Sequence, residues 1–268
     1  MNFSIYQMDV IVANPDQNRH KIANWVKKQI NHKQVDTIVL PEMWNTGYAL
    51  DQLEELADDE GRQTIPFLSE LAEKYNVNII GGSVANRKKD GIFNSSFVFN
   101  RCGELIYQYD KIHLVPMLDE PKYLQGGNVK AEIFQLDGIK IGLIICYDLR
   151  FPEITRSLAL QGAEVICVLA QWPASRKEHW IYLQHARAIE NQCFIISANS
   201  SGTCNGTAFA GESMVIDPSG KLVTKGPAEQ ETTINTMINL NKVAETRQAI
   251  PIFSSRVPHL YGGGNSDA

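Results

Sequence analysis

A glutamate, a lysine and a cysteine each stand just beyond an apolar run in this sequence. From that position a side chain can reach into a cleft at the rim of a sheet. Glu42 closes Ile38-Val39-Leu40-Pro41-Glu42, Lys111 follows the alternating stretch Tyr107-Gln108-Tyr109-Asp110, and Cys146 follows Ile144-Ile145. The three types are complementary. A thiol supplies a nucleophile, a carboxylate a general base, and a fixed ammonium a partner for a developing oxyanion. Taken singly, each has an ordinary reading as well: a solvated glutamate, a surface lysine, an inert buried cysteine. Cys146 also lies shortly before a helix expected from about Pro152, whose N-terminal dipole favours a thiolate.

The elements that must position these residues can be read from periodicity. Phe3 to Val10 alternates as a strand, and Asn14-Pro15 then caps a helix carrying Ile22, Trp25, Val26 and Ile30. Thr37 to Leu40 is a short strand, Ile65 to Tyr75 a helix, and Val77 to Ile80 a strand. Ile92 to Phe99 and Leu105 to Tyr109 form a hairpin around Cys102-Gly103. The second half repeats the theme with strands at Ile139 to Ile145, Val165 to Leu169 and Phe194 to Ala198. A helix is expected from about Arg176 to Gln192, with Tyr182, Ala186, Ile189 and Cys193 on one face and Arg187 able to pair with Glu190. Met214 to Ile216 and Leu222-Val223 flank the turn Asp217-Pro218-Ser219-Gly220. Some strands are continuous and some hairpin-linked, which points to an α/β fold with two mixed sheets covered by helices.

Composition narrows the classes of partner. At 268 residues with 44% hydrophobic and 21% charged residues, the chain can bury a large core, and no Gly/Ser/Pro-rich linker divides it. One domain spanning 1–268 is expected, with an extended tail from about 250 that includes Gly262-Gly263-Gly264-Asn265. A net charge of −5 carries no electrostatic footprint for nucleic acid or an anionic membrane. Five cysteines without paired short spacing point to neither a disulfide framework nor a zinc site. The alternating N-terminus with Asp9 lacks the form of a signal peptide, so a cytoplasmic protein is expected.

The motifs together resemble the nitrilase superfamily of carbon–nitrogen hydrolases. The resemblance is carried by Pro41-Glu42 followed by Gly47, by Asp110-Lys111-Ile112-His113-Leu114, and by Cys146-Tyr147-Asp148-Leu149-Arg150-Phe151-Pro152. Gly81-Gly82-Ser83, Gln171-Trp172-Pro173-Ala174 and Ala186-Arg187-Ala188-Ile189-Glu190-Asn191-Gln192 extend it over nearly the whole chain. It implies a four-layer α-β-β-α sandwich and a cofactor-free, metal-free hydrolase that pairs as a homodimer. In that enzyme Cys146 is the nucleophile, Glu42 the general base and Lys111 the oxyanion partner, with the backbone N–H of Tyr147 as a second donor. A further glutamate is implied after the lysine. Glu120 is the match and Asp119 its neighbouring alternative.

Within the superfamily the sequence is most similar to omega-amidases acting on 2-oxoglutaramate. Alternatives are N-carbamoyl amino-acid hydrolases, deaminated-glutathione amidases and nitrilases, or, in a different class, a catalytically silent binding protein on the same scaffold. Arg150 matches a position where relatives acting on acidic compounds carry an arginine. It either clamps a substrate carboxylate or pairs with a scaffold acid such as Glu153. Tyr48, Gln171 and Trp172 are expected as pocket walls. The implied partners are a small amide and water.

Overall fold

Successive residues of the early strands face two different cores. Ile38, Leu40, Ile79, Phe97 and Phe99 pack with Ile22, Trp25, Val26 and Leu68, whereas Val39, Ile80, Val98, Phe3 and Ile5 pack with Ile141, Leu143 and Ile144. That alternation is the two-residue repeat of a strand. It requires one sheet with helices on one face and a second sheet on the other.

The computed structural model describes residues 1–32 and 34–261. The first sheet begins with β1 (Asn2–Gln7), β2 (Thr37–Val39), β3 (Asp58–Asp59), β4 (Asn78–Lys88), β5 (Gly91–Phe99) and β6 (Leu105–Asp110). The second takes β7 (Phe134–Leu136), β8 (Ile139–Ile145), β9 (Val165–Ala170) and β10 (Phe194–Asn199). A small separate hairpin follows, β11 (Thr203–Cys204) with β12 (Thr207–Ala208). Then β13 (Met214–Ile216) and β14 (Leu222–Lys225) complete the second sheet, and β15 (Thr232–Met237) returns to the first. The strand orders are β15-β1-β2-β4-β5-β6, with β3 on β4, and β14-β13-β10-β9-β8-β7. Both sheets mix parallel pairs (β1 with β2, β8 with β9) and antiparallel ones (β4 with β5, β13 with β14).

Helices α1 (Pro15–His32) and α3 (Thr64–Tyr75) cover the first sheet, with the single turn α2 (Leu53–Leu56) between them in sequence. Another single turn, α4 (Glu120–Tyr123), precedes the second sheet, whose outer face is covered by α5 (Pro152–Leu160) and α6 (Lys177–Asn191). After α7 (Asn241–Ala249) the described chain runs through exposed turns to Tyr261; Gly262 to Asn265 lie outside the described residues. The four-layer α-β-β-α arrangement expected from the resemblance is the one observed. Among the described residues no helix is long and apolar enough to cross a membrane.

Local signals hold where chemistry at one residue decides them. The Asn14 side chain accepts from Gln17 N–H at 3.1 Å, capping α1 with Pro15 in its first turn. Three expectations need correction. The first strand stops at Gln7 and not at Val10. The strand expected to end at Ile80 runs on to Lys88 through a register shift between Ile80 and Ser83. Gly82 makes the shift possible: it sits at φ +64°, and a Cβ there would lie 2.2 Å from the Pro41 carbonyl oxygen.

The third correction concerns α6. Tyr182 and Ile189, on the one face that the spacing marks, are 65% and 52% exposed, while Trp180, Gln184, Arg187, Ala188 and Asn191 are buried. The inward face is largely polar, and its donors are taken up by backbone carbonyls. Gln184 donates to the Trp180 carbonyl, and Arg187 donates to the Leu149 carbonyl through Nε and Nη2. A hydrophobicity pattern cannot find such a face.

Candidate active site

Three strand ends bring the chemically capable residues together between the two sheets. Glu42 follows β2, with Met43 behind it at φ +45°. Lys111 follows β6, its backbone N–H fixed on the Asn94 carbonyl at 2.9 Å. Cys146 follows β8 and opens a tight five-residue helical turn, Cys146–Arg150, that leads into α5. Its φ of +47° lies in the left-handed region, a strain on the order of 1–3 kcal/mol for a side-chain-bearing residue, held here by the surrounding core. Glu42 and Lys111 are fully buried and Cys146 nearly so.

Lys111 Nζ donates to Glu42 Oε1 at 2.9 Å and to both oxygens of Glu120 at 2.8 and 3.1 Å. Burial opposes its charge, but the two carboxylates outweigh that and hold the ammonium well above the usual lysine range. Glu42 has further donors. Asn94 Nδ2 reaches Oε1 at 2.9 Å, Tyr48 OH reaches it at 3.3 Å, and the Gln171 backbone N–H reaches Oε2 at 2.7 Å. Tyr48 OH also donates to Glu120 at 2.7 Å, and Val115 N–H donates to the other Glu120 oxygen at 2.8 Å. Burial raises the Tyr48 hydroxyl well above its ordinary range, with Glu120 and Glu42 adding to it, so it stays a donor.

Burial also pushes the Cys146 thiol well above its ordinary range. Glu42 raises it further and Lys111 only partly offsets the rise. This reverses the expectation of a dipole-stabilised thiolate. The turn opened by Cys146 is too short to supply a strong dipole, and the nearest carboxylate disfavours a second negative charge. At rest Cys146 is therefore a thiol, with the Glu42 carboxylate beside it.

Of the two neighbouring acids after the lysine, Glu120 turns into the site. Asp119 is exposed, sits at φ +58° and pairs with Lys122 at 2.8 Å. Tyr147, Arg150 and Trp172 line the cleft at Cys146, with Val115, Met117 and Leu118. Arg150 forms no ion pair with Glu153 or any other described acid; its guanidinium lies over the Trp172 ring at 4.7 Å. Gln171 is not a wall of this cleft. It is fully buried behind the site, and its side-chain amide donates to the Glu42 carbonyl at 2.8 Å. Tyr48 lines a second cavity of about 360 Å³ with Asp51, Asp119 and Tyr123. Among the described residues no group of three His, Cys, Asp or Glu side chains could hold a metal ion.

Several positioning groups were not singled out from the sequence. Asn94 holds Glu42, and its one signal is an amide, followed by two serines, inside the strand stretch Ile92 to Phe99. Asp148 joins the two sheets at the site. It accepts from Tyr109 OH at 2.8 Å, His113 N–H at 3.0 Å and Ile145 N–H at 3.1 Å, and its Oδ1 lies 2.9 Å from His113 Nδ1. The segment carrying Lys111 and the turn carrying Cys146 are thereby fixed to one carboxylate. Arg187, held to Glu190 at 2.9 Å as expected, fixes the same turn from behind through Leu149.

Two mixed sheets stand back to back between helices, and a buried thiol, carboxylate and ammonium meet at their shared rim. The chain belongs to the carbon–nitrogen hydrolase family, whose model matches residues 3–248. It is 46% identical over 97% of its length to a protein of Staphylococcus aureus called hydrolase in agr operon, all of which is covered. It is 40% identical to the 2-oxoglutaramate amidase of Bacillus subtilis, over 96% of this chain and 98% of that one. Among solved structures it resembles Nit3 of Saccharomyces cerevisiae, a member of branch 10 of the nitrilase superfamily. The TM-score is 0.87 at 27% identity, covering 94% of this chain and 95% of the other.

Proposed function

We propose that this hydrolase is a cysteine-dependent amidase that releases ammonia from the terminal amide of a small carboxylate-bearing substrate such as 2-oxoglutaramate. The observation that carries the reading is the buried Lys111 ammonium shared between Glu42 and Glu120 beside a Cys146 thiol that is neutral at rest.

Glu42 takes the proton of the Cys146 thiol as the sulfur attacks the amide carbon. The carbonyl oxygen becomes an oxyanion facing Lys111 Nζ and the Tyr147 backbone N–H. The C–N bond then breaks. Glu42 returns the proton to the departing nitrogen, ammonia leaves, and a thioester remains on Cys146. Water next gives a proton to Glu42 and attacks the thioester carbon; the C–S bond breaks, the acid leaves and the thiol is restored. Glu120 touches neither proton path. It holds the ammonium so that Lys111 serves the oxyanion while Glu42 remains free to shuttle protons.

Two observations support an acidic substrate. The Arg150 guanidinium lines the Cys146 cleft with no acid partner among the described residues. A relative 40% identical over nearly the full chain is a 2-oxoglutaramate amidase. The roomier cavity behind Tyr48 is bordered by Asp51 and Asp119, which makes it the wrong place for a carboxylate. The protein is also proposed to pair as a homodimer through α5 and α6, whose outer faces expose Leu160, Tyr182 and Ile189. The test is ammonia release by purified protein from 2-oxoglutaramate, succinamate, glutamine, deaminated glutathione, N-carbamoyl amino acids and nitriles. Mass spectrometry after brief exposure should find an acyl adduct on Cys146. Turnover of nitriles or carbamoyl compounds above all the amides would overturn the substrate assignment.

A further inference from the structure

Arg150 is not the lone cation at the mouth of the Cys146 cleft. Arg176 lines it as well, from the turn that leads into α6, and Trp172 and Pro173 line the same cleft. Among the described residues neither guanidinium forms an ion pair with a carboxylate. Burial pulls the Arg150 pKa below the ordinary arginine value, and the like charge of Arg176 adds to that after the opposing influence of Tyr147 and Cys146.

One buried indole organises the pair. Trp172 is 2% exposed, carries the Arg150 guanidinium over its ring at 4.7 Å, and donates from Nε1 to the Arg176 carbonyl oxygen at 2.9 Å. Its own backbone N–H is fixed on Asn199 Oδ1 at 2.7 Å, at the end of β10. Arg150 is further tied by Nη1 to His179 Nδ1 at 3.2 Å, while its Nε is buried with no hydrogen-bond partner. Two like charges brought together with no carboxylate paired to either among the described residues, one of them with an unsatisfied buried donor, are unfavourable. An anion relieves this. A carboxylate offers about four lone-pair positions on two oxygens, enough to accept from two guanidiniums at once.

We infer that Arg150 and Arg176 form a single two-guanidinium subsite for the distal carboxylate of the substrate, and that Arg176 is a specificity-determining residue for anionic over neutral amides. The inference rests on the amidase reading above and adds to it a second recognition residue.

The experiment compares kcat/KM for succinamate and for butanamide, which lacks the carboxylate, in the wild type, Arg176→Gln, Arg176→Lys and Lys177→Gln. Lys177 neighbours Arg176 but does not line the cleft, so its variant removes the same charge without touching the subsite. Arg176→Gln should lower the succinamate preference about tenfold, chiefly through KM, and Arg176→Lys should recover part of it. Lys177→Gln should stay within about twofold of wild type, as expected for a charge that acts only through solvent. If wild type prefers succinamate and Arg176→Gln keeps that preference, Arg176 is no part of the subsite. An equal fall in Lys177→Gln would reduce the effect to the general field of the surface. A wild type that does not distinguish the two amides overturns the acidic-substrate reading itself, and the subsite with it.

Discussion

The interior and the rim of this site treat charge in opposite ways. Inside, Lys111 meets two carboxylates, Glu42 has four donors and Glu120 three, and none of these side chains is exposed. At the rim, neither Arg150 nor Arg176 forms an ion pair with an acid among the described residues. A buried charge without partners costs several kcal/mol, so the interior must be closed upon itself to fold at all. A half-solvated guanidinium can wait for a ligand. On the proposed mechanism, the charges that do the chemistry are compensated by the protein, and those that recognise the substrate are left for it to complete.

The sharpest way to break this comparison is at the nucleophile. Cys146→Ala should reduce ammonia release on the order of 10⁴-fold or more and remove the acyl adduct, while a thermal melt stays near that of wild type. Measurable turnover at the wild-type rate would end the thioester mechanism. Lys111→Met tests the interior more severely, because it leaves Glu42 and Glu120 facing each other. It should lose about 10²-fold or more in kcat and also about 3–5 kcal/mol of stability in denaturant unfolding. A variant as stable as wild type would show that the interior charges do not depend on one another.

Glu42→Gln separates two roles of one carboxylate. Turnover should fall by about 10²-fold or more, since the amide accepts no proton. The Cys146 thiol should nevertheless become easier to ionise, because Glu42 is among the groups that raise its pKa whereas Lys111 lowers it. Alkylation of Cys146 by iodoacetamide should therefore set in at lower pH in the variant than in wild type. An upward displacement would contradict the sign of the Glu42 effect.

At the rim, Arg150→Met should raise KM for succinamate or 2-oxoglutaramate about 30-fold, corresponding to roughly 2 kcal/mol, with a much smaller effect on butanamide. Its melting temperature should change little. A parallel decline on both substrates together with a lower melt would place Arg150 with the interior, as scaffold. The smallest effect on catalysis is expected outside the site: Tyr182→Glu combined with Ile189→Glu should turn a dimer into a monomer by sedimentation at micromolar concentration. A wild type that already sediments as a monomer removes the proposed interface.

Much of this could be read along the chain because its signals are local. An apolar run ending in Glu42, Lys111 or Cys146 marks a strand end, the alternation of Ile38, Val39 and Leu40 implies two cores, and Asn14-Pro15 starts a helix wherever it occurs. The family motifs are contiguous and survive any packing. Other features had no local trace. The inward face of α6 is largely polar, so periodicity chose the outward one, and the Leu149 carbonyl that takes the rest of the buried Arg187 guanidinium lies 38 positions away. Gln171 reads as a pocket residue until Glu42, 129 positions earlier, is found to occupy its amide. The protonation state of Cys146 likewise depends on which charges are delivered to it, and those come from the ends of β2 and β6 and from the first residue of α4. The sequence by itself determined the elements and the chemical types at their ends, because those follow from each residue and its near neighbours. Only the tertiary structure decided which charges are compensated and which are left open, because electrostatic partnership is a matter of distance in space.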